Sequence, residues 1–132
     1  MTLVDSHVIL DLVTADKRWL EWSSGRPEQV ADSGPVAINP VVFAECAHGY
    51  ADIADLGSDL PARMKMLPLT YEAAFLAGKA FARYRRLGGT RERILGDFYV
   101  SAHAQTAGLT LLTRNATRYR ACFPTVKLIA PD

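Results

Sequence analysis

Apolar residues open the chain at Leu3-Val4, stop at Asp5-Ser6, and return at Val8, Ile9, Leu12 and Val13 with helical spacing. The pattern predicts a strand, a turn and a helix. A second helix is predicted over residues 16–24, bringing Trp19, Leu20 and Trp22 up to the breaker Gly25-Arg26-Pro27. Pro35-Val36-Ala37-Ile38 reads as a brief buried strand, and Asn39-Pro40 as a helix start, with Asn as cap and Pro in the first turn. That helix is expected to run over residues 41–50. Residues 51–60 suit a further short helix ended by Pro61, and 64–69, broken by Pro68, a third strand.

From Thr70 onward Ala73, Ala74, Ala77, Ala80, Phe81 and Tyr84 recur three and four apart until Gly88-Gly89 ends the helix. Another helix is predicted over 94–107, closed by Gly108, then a buried strand over 109–113, a short helix over 116–120 and a last strand over 126–129. Strands alternating with helices of these lengths imply right-handed crossovers and a mostly parallel sheet covered on both faces. Neither an internal repeat nor a linker interrupts the pattern, so a single domain over 1–132 is expected.

At 132 residues, 49% hydrophobic and 22% charged, the chain can bury a core without disulfides or structural metal. It has no apolar run long enough to span a bilayer. Asp5 and Asp11 fall where a signal peptide wants a basic start and an unbroken apolar run, so a cytoplasmic protein is expected. Cys46 and Cys122 lack metal-site spacing and read as reduced small hydrophobes.

The net charge of +1 conceals a division. Residues 1–66 hold five Lys and Arg against ten Asp and Glu, and residues 67–132 hold ten against four. An acidic site built by the first half and a cationic surface supplied by the second would suit a metal-dependent enzyme acting on polyanions. Eleven of the fifteen basic residues are Arg, whose planar fork grips phosphate in two places.

Sites in open parallel sheets form at the carboxyl ends of strands, which directs attention to Asp5. It suits both an N-cap and a site acid. Glu45 in VVFAECA and Asp97 in ILGDFYVSAHA interrupt apolar segments, where a buried carboxylate needs a cation or a cationic side chain. An ion pair or a solvent-facing position is the plainer reading of each. If the three gather, oxygen-only ligands suit Mg²⁺ or Mn²⁺, which activates a water for attack on a phosphodiester. His7, His48 and His103 are scattered without zinc spacing, and no phosphate-binding glycine loop occurs.

VDSHVILDL at the first acid, INPVVFAECAHG at the second, YRRLGGTRERILGDFYVSAHAQTAGLTLLTRN at the third and RYRACFPTVKLIAP at the end together resemble the PIN-domain ribonucleases of the VapC toxin type. The resemblance is nearly full length and implies a compact three-layer α/β/α sandwich with about five strands. It further implies a Mg²⁺- or Mn²⁺-dependent endoribonuclease cutting structured RNA, a homodimer, and a cognate antitoxin. Asp5, Glu45 and Asp97 take the places of the family's acids, with Asp5 and Asp97 as metal ligands. Asn115 stands where many relatives carry a fourth acid, and Arg118 where others place it. An amide oxygen brings no charge and accepts no proton as a carboxylate does, so weaker metal binding is expected.

Ser6 and Thr113 are candidates for orienting the acids or a water, and equally for plain turn hydroxyls. Arg85, Arg86, Arg91, Arg93 and Arg114 are candidates for RNA phosphates, with Tyr84 stacking on a base; the bland reading is a solvated helix end. The rival to an active nuclease is a catalytically weakened module that binds RNA or antitoxin.

Overall fold

The computed structural model describes residues 1–14, 34–90 and 96–131. Five strands, β1 (Thr2–Val4), β2 (Val36–Ile38), β3 (Met64–Met66), β4 (Thr110–Leu112) and β5 (Leu128–Ile129), form one sheet in the order β3-β2-β1-β4-β5. All four pairings are parallel. Among the described residues the helices are α1 (Ser6–Thr14), α2 (Pro40–Cys46), α3 (Ile53–Asp59), α4 (Tyr71–Arg86), α5 (Gly96–Ala107) and α6 (Ala116–Cys122). This is the α/β/α arrangement expected from the alternation of strands and helices.

The central strands are short and almost wholly apolar, with a threonine opening β1 and β4. Leu3, Val4, Val36, Ala37, Ile38, Leu111 and Leu112 are all buried, since a parallel strand covered on both faces has no solvent side to keep polar. The edge strand β3 is the exception: Lys65 and Met66 are exposed, and Pro68 lies beyond its last pairing. The predicted helix over residues 16–24, with Trp19, Leu20 and Trp22, lies outside the described residues.

Helix boundaries follow from local chemistry. Asn39 caps α2, its side-chain oxygen accepting from Val42 N at 2.9 Å, with Pro40 in the first turn. Thr70 caps α4 by accepting from Ala73 N at 3.1 Å. The helix expected over 41–50 instead ends at Cys46 and tightens into a 3₁₀ turn over Ala47–Gly49. At the end of α4, Gly88 takes the left-handed conformation at φ +96°. Gly89 lies against Tyr84 so closely that an added Cβ would sit 2.3 Å from its ring.

Helices α4 and α5 pack against each other through an aromatic cluster. Phe98 meets Phe81 edge-on at 5.8 Å and Tyr84 at 5.7 Å. No helix among the described residues is long and apolar enough to cross a membrane.

From β1 the chain moves outward through β2 to β3, then returns to place β4 and β5 on the other side of β1. The reversal falls between β1 and β4. At such a point the connections leave in opposite directions and open a crevice beyond the strand ends.

Candidate functional site

Asp5 follows β1 at this crevice and is 2% exposed. Both of its oxygens are engaged: Oδ1 accepts from Ser6 N at 2.8 Å, and Oδ2 from the Thr113 hydroxyl at 2.8 Å. Thr113 follows β4, and its hydroxyl in turn accepts from Asn115 N at 3.0 Å. A short chain of hydrogen bonds thus links the ends of the two strands that flank the switch point and fixes the plane of the Asp5 carboxylate. Ser6 contributes mainly its backbone N–H, its hydroxyl lying 3.5 Å from Oδ1.

Asp97 enters from the first turn of α5 and is partly buried. Glu45 comes from the last turn of α2, where the inward positions are Val42 and Cys46. That leaves Ala44 and Glu45 exposed, so Glu45 takes the solvent-facing position that was the plainer reading of its sequence and sits at the rim. Its carboxylate nevertheless reaches α5. A Cβ built on Gly96 would stand 3.1 Å from Glu45 Oε1 and 3.3 Å from Oε2, which puts this acid beside the residue preceding Asp97.

Two buried side chains register the gathered charge. Burial pushes the Cys46 thiol up to about 12, and the negative charges of Glu45 and Asp5 add to the rise. A thiol so disfavoured as thiolate is a packing group, as its sequence context suggested. Burial likewise holds the Tyr119 phenol far above the usual tyrosine range, with Asp5, Asp97 and Glu45 all contributing. All three acids thus act on the same buried phenol. Its hydroxyl faces Asp5, yet its geometry falls outside that of a formed hydrogen bond, and it is unpartnered among the described residues.

Among the described residues no three His, Cys, Asp or Glu side chains stand close enough to hold one ion jointly. The expectation that three carboxylates would close on a single cation is corrected to a looser arrangement. Carboxylates repel one another, and Mg²⁺ is commonly held by only one or two of them with waters and substrate phosphate completing its shell. The oxygen-only donor set of Asp5 and Asp97 fits the chemistry of such an ion. Asn115 is half-buried at the start of α6, and its side chain makes no capping bond.

The cationic candidates separate. Arg85 and Arg86 are exposed on the last turn of α4. Arg114 instead pairs with Asp11, Nε to Oδ2 at 3.5 Å, which gives that buried acid its counter-charge. Arg91 and Arg93 lie outside the described residues. The Tyr84 ring is half-buried, packs on Phe81, Phe98 and Gly89, and lines the groove beside α4. A groove of about 1050 Å³ runs past Lys79, Arg83, Arg86, Gln105 and Thr125, and the acids are not among the described residues that line it.

Sequence reasoning missed three features. Asp11 offered a signal, being an acid inside the apolar run VILDLV. Tyr119 offered none, since an aromatic residue in a short helix reads as core. His103 read as isolated, yet it is buried and its Nδ1 lies 3.0 Å from Asn39 Nδ2, behind the cap of α2.

The fold has close counterparts among solved structures. VapBC2 from Rickettsia felis, bound to a DNA fragment from its promoter, matches with a TM-score of 0.74 at 17% identity, covering 99% of this chain and 98% of that one. DNA-bound VapBC from Salmonella typhimurium matches with a TM-score of 0.69 at 18% identity over 98% and 96%. A toxin-antitoxin complex from Klebsiella pneumoniae gives 0.66 at 20% identity over 100% and 98%. No curated protein matches the chain by sequence. The PIN domain family model, however, matches residues 2–124, a span that holds every acid described above, and the chain accordingly belongs to the PIN domain family.

Proposed function

We propose that this chain is a divalent-metal-dependent endoribonuclease that acts on structured RNA, and that it is the toxin of a toxin-antitoxin pair. The observation that carries the reading is Asp5 at the sheet's switch point, its carboxylate held by the Ser6 N–H and the Thr113 hydroxyl, with the Glu45 carboxylate lying against Gly96, next to Asp97 in the first turn of α5. Asp5 and Asp97 would hold a Mg²⁺ or Mn²⁺, which when bound would supply an activated water and offset charge on the phosphate. Thr113 and the Ser6 N–H hold the Asp5 carboxylate in one orientation, so its remaining lone pairs point consistently. Glu45 at the rim is placed to accept a proton from water on the solvent side. Arg85 and Arg86 on α4, with Arg91 and Arg93 in the same basic run, supply phosphate contacts.

The toxin assignment is supported by the shared fold with VapBC and other toxin-antitoxin complexes over nearly the whole chain. A cognate antitoxin, a homodimeric state and a cytoplasmic location belong to this reading. Purified protein is expected to cut structured RNA with Mg²⁺ and to stop on addition of chelator or with Asp97→Asn. Cleavage retained under both treatments excludes the metal assignment.

One observation favours a second reading, in which the chain is a weakened module that binds RNA or antitoxin. Asn115 and Arg118 leave the start of α6 without a carboxylate. RNA bound but never cut, even with Asn115→Asp, selects that alternative.

A further inference from the structure

Tyr119 lies in the second turn of α6, is 1% exposed, and carries the one buried side-chain polar atom among the described residues that lacks a hydrogen-bond partner. A hydroxyl withdrawn from water and left unpaired destabilises a fold, and phenylalanine would fill nearly the same volume without that penalty. Packing therefore accounts for the ring and not for the oxygen.

The surroundings of that oxygen are acidic. Asp5 accepts from the Ser6 N–H, from the more distant Ser6 hydroxyl and from the Thr113 hydroxyl, three of about four positions that a carboxylate offers. Acceptor capacity thus remains on the very group the phenol faces. The same helix begins at positions 115 and 118 with Asn and Arg, so the segment brings no carboxylate to the cleft. What it does bring is a rigidly held group able both to donate and to accept.

We propose that Tyr119 is a positioning residue of the acidic site, its hydroxyl bonding, once a divalent cation is bound, to the Asp5 carboxylate and to the water shell of that cation, in the role that an acid on α6 would otherwise fill. The proposal rests on the metal-dependent reading given above. Groups that orient a metal's ligands commonly change its affinity by about 10–100-fold when removed. A group that merely packs leaves affinity alone.

The test measures Mn²⁺ affinity from the free-ion electron paramagnetic resonance signal for wild type, Tyr119→Phe and Asp97→Asn, with melting temperatures of the metal-free proteins alongside. Wild type is expected to bind, Asp97→Asn to lose binding, and Tyr119→Phe to bind about tenfold or more weakly. The metal-free Tyr119→Phe protein should melt at or above the wild-type temperature, because only an unpaired oxygen has been removed. Equal Mn²⁺ affinity in wild type and Tyr119→Phe overturns the role of Tyr119 and leaves the metal reading intact. A lower melting temperature for metal-free Tyr119→Phe also overturns it, showing that the hydroxyl serves the fold. Absence of binding by wild type removes the metal reading and this inference with it.

Discussion

The Thr113 hydroxyl donates to Asp5 Oδ2 at 2.8 Å, joining residues 108 positions apart at the ends of adjacent parallel strands. It also accepts from Asn115 N, so one side chain serves two buried or half-buried groups. Thr113→Val keeps the shape and removes both bonds. Hydrogen bonds to charged groups contribute about 1.5–3 kcal/mol, so a loss of about 2 kcal/mol is expected in urea unfolding. Thr113→Ser retains the hydroxyl and should preserve Mn²⁺ affinity, which Thr113→Val should lower about tenfold or more. Equal metal binding by the two variants would show that Thr113 braces the strands without orienting Asp5.

Asn115 tests how far the chain departs from a four-acid site. Its side chain makes no capping bond, so Asn115→Asp disturbs little of α6 and adds an anion at a helix N-terminus, a placement favourable by about 0.3–1 kcal/mol. Tighter Mn²⁺ binding and faster RNA cleavage are the expected results. Unchanged rates with tighter binding would locate the limitation elsewhere in the cleft.

Most of the architecture was legible because each level of the sequence agreed with the next. Central strands such as Val36–Ile38 are short apolar runs beside strong helix starts, and Asn39-Pro40 announces α2 through chemistry that acts within three residues. Asp5 was legible for the same reason, as the first polar residue after β1. Glu45 was left between a buried and a solvent-facing position, because an apolar neighbourhood in sequence does not bury every position of a two-turn helix, and it takes the solvent-facing one. Tyr119 and the Asn39–His103 pair depend on elements distant in sequence, and no local pattern announces them.

Histidine 103 has a definite tautomer. Asn39 Oδ1 is committed to Val42 N–H, which turns its amide nitrogen toward His103 Nδ1 and makes that nitrogen an acceptor. Burial lowers its pKa below the usual 6.5. With the folded value depressed, the unfolded chain binds the proton more readily, so stability is flat above about pH 7 and falls as pH drops through about 6.5. Melting temperature between pH 7.5 and 5.5 should show this slope, and His103→Gln should lack it. A slope that survives in the variant assigns the titration to other groups.

Arg114 and Arg86 separate structure from RNA contact. Asp11 is 2% exposed and Arg114 22%, so Arg114→Met keeps the alkyl packing but removes a counter-charge from a buried acid. Removing one partner of a buried pair costs about 3–5 kcal/mol; with water reaching this Arg and a 3.5 Å separation, about 2 kcal/mol is expected. Its effect on RNA affinity should be small. Arg86→Ala should do the reverse, leaving stability within about 0.5 kcal/mol. It should also weaken RNA binding and lower the salt dependence by about one phosphate contact, read as the slope of log affinity against log KCl. If Arg114→Met lowers that slope as much as Arg86→Ala does, its guanidinium leaves Asp11 to meet RNA, and the basic surface extends across β4 to the edge of the acidic cleft.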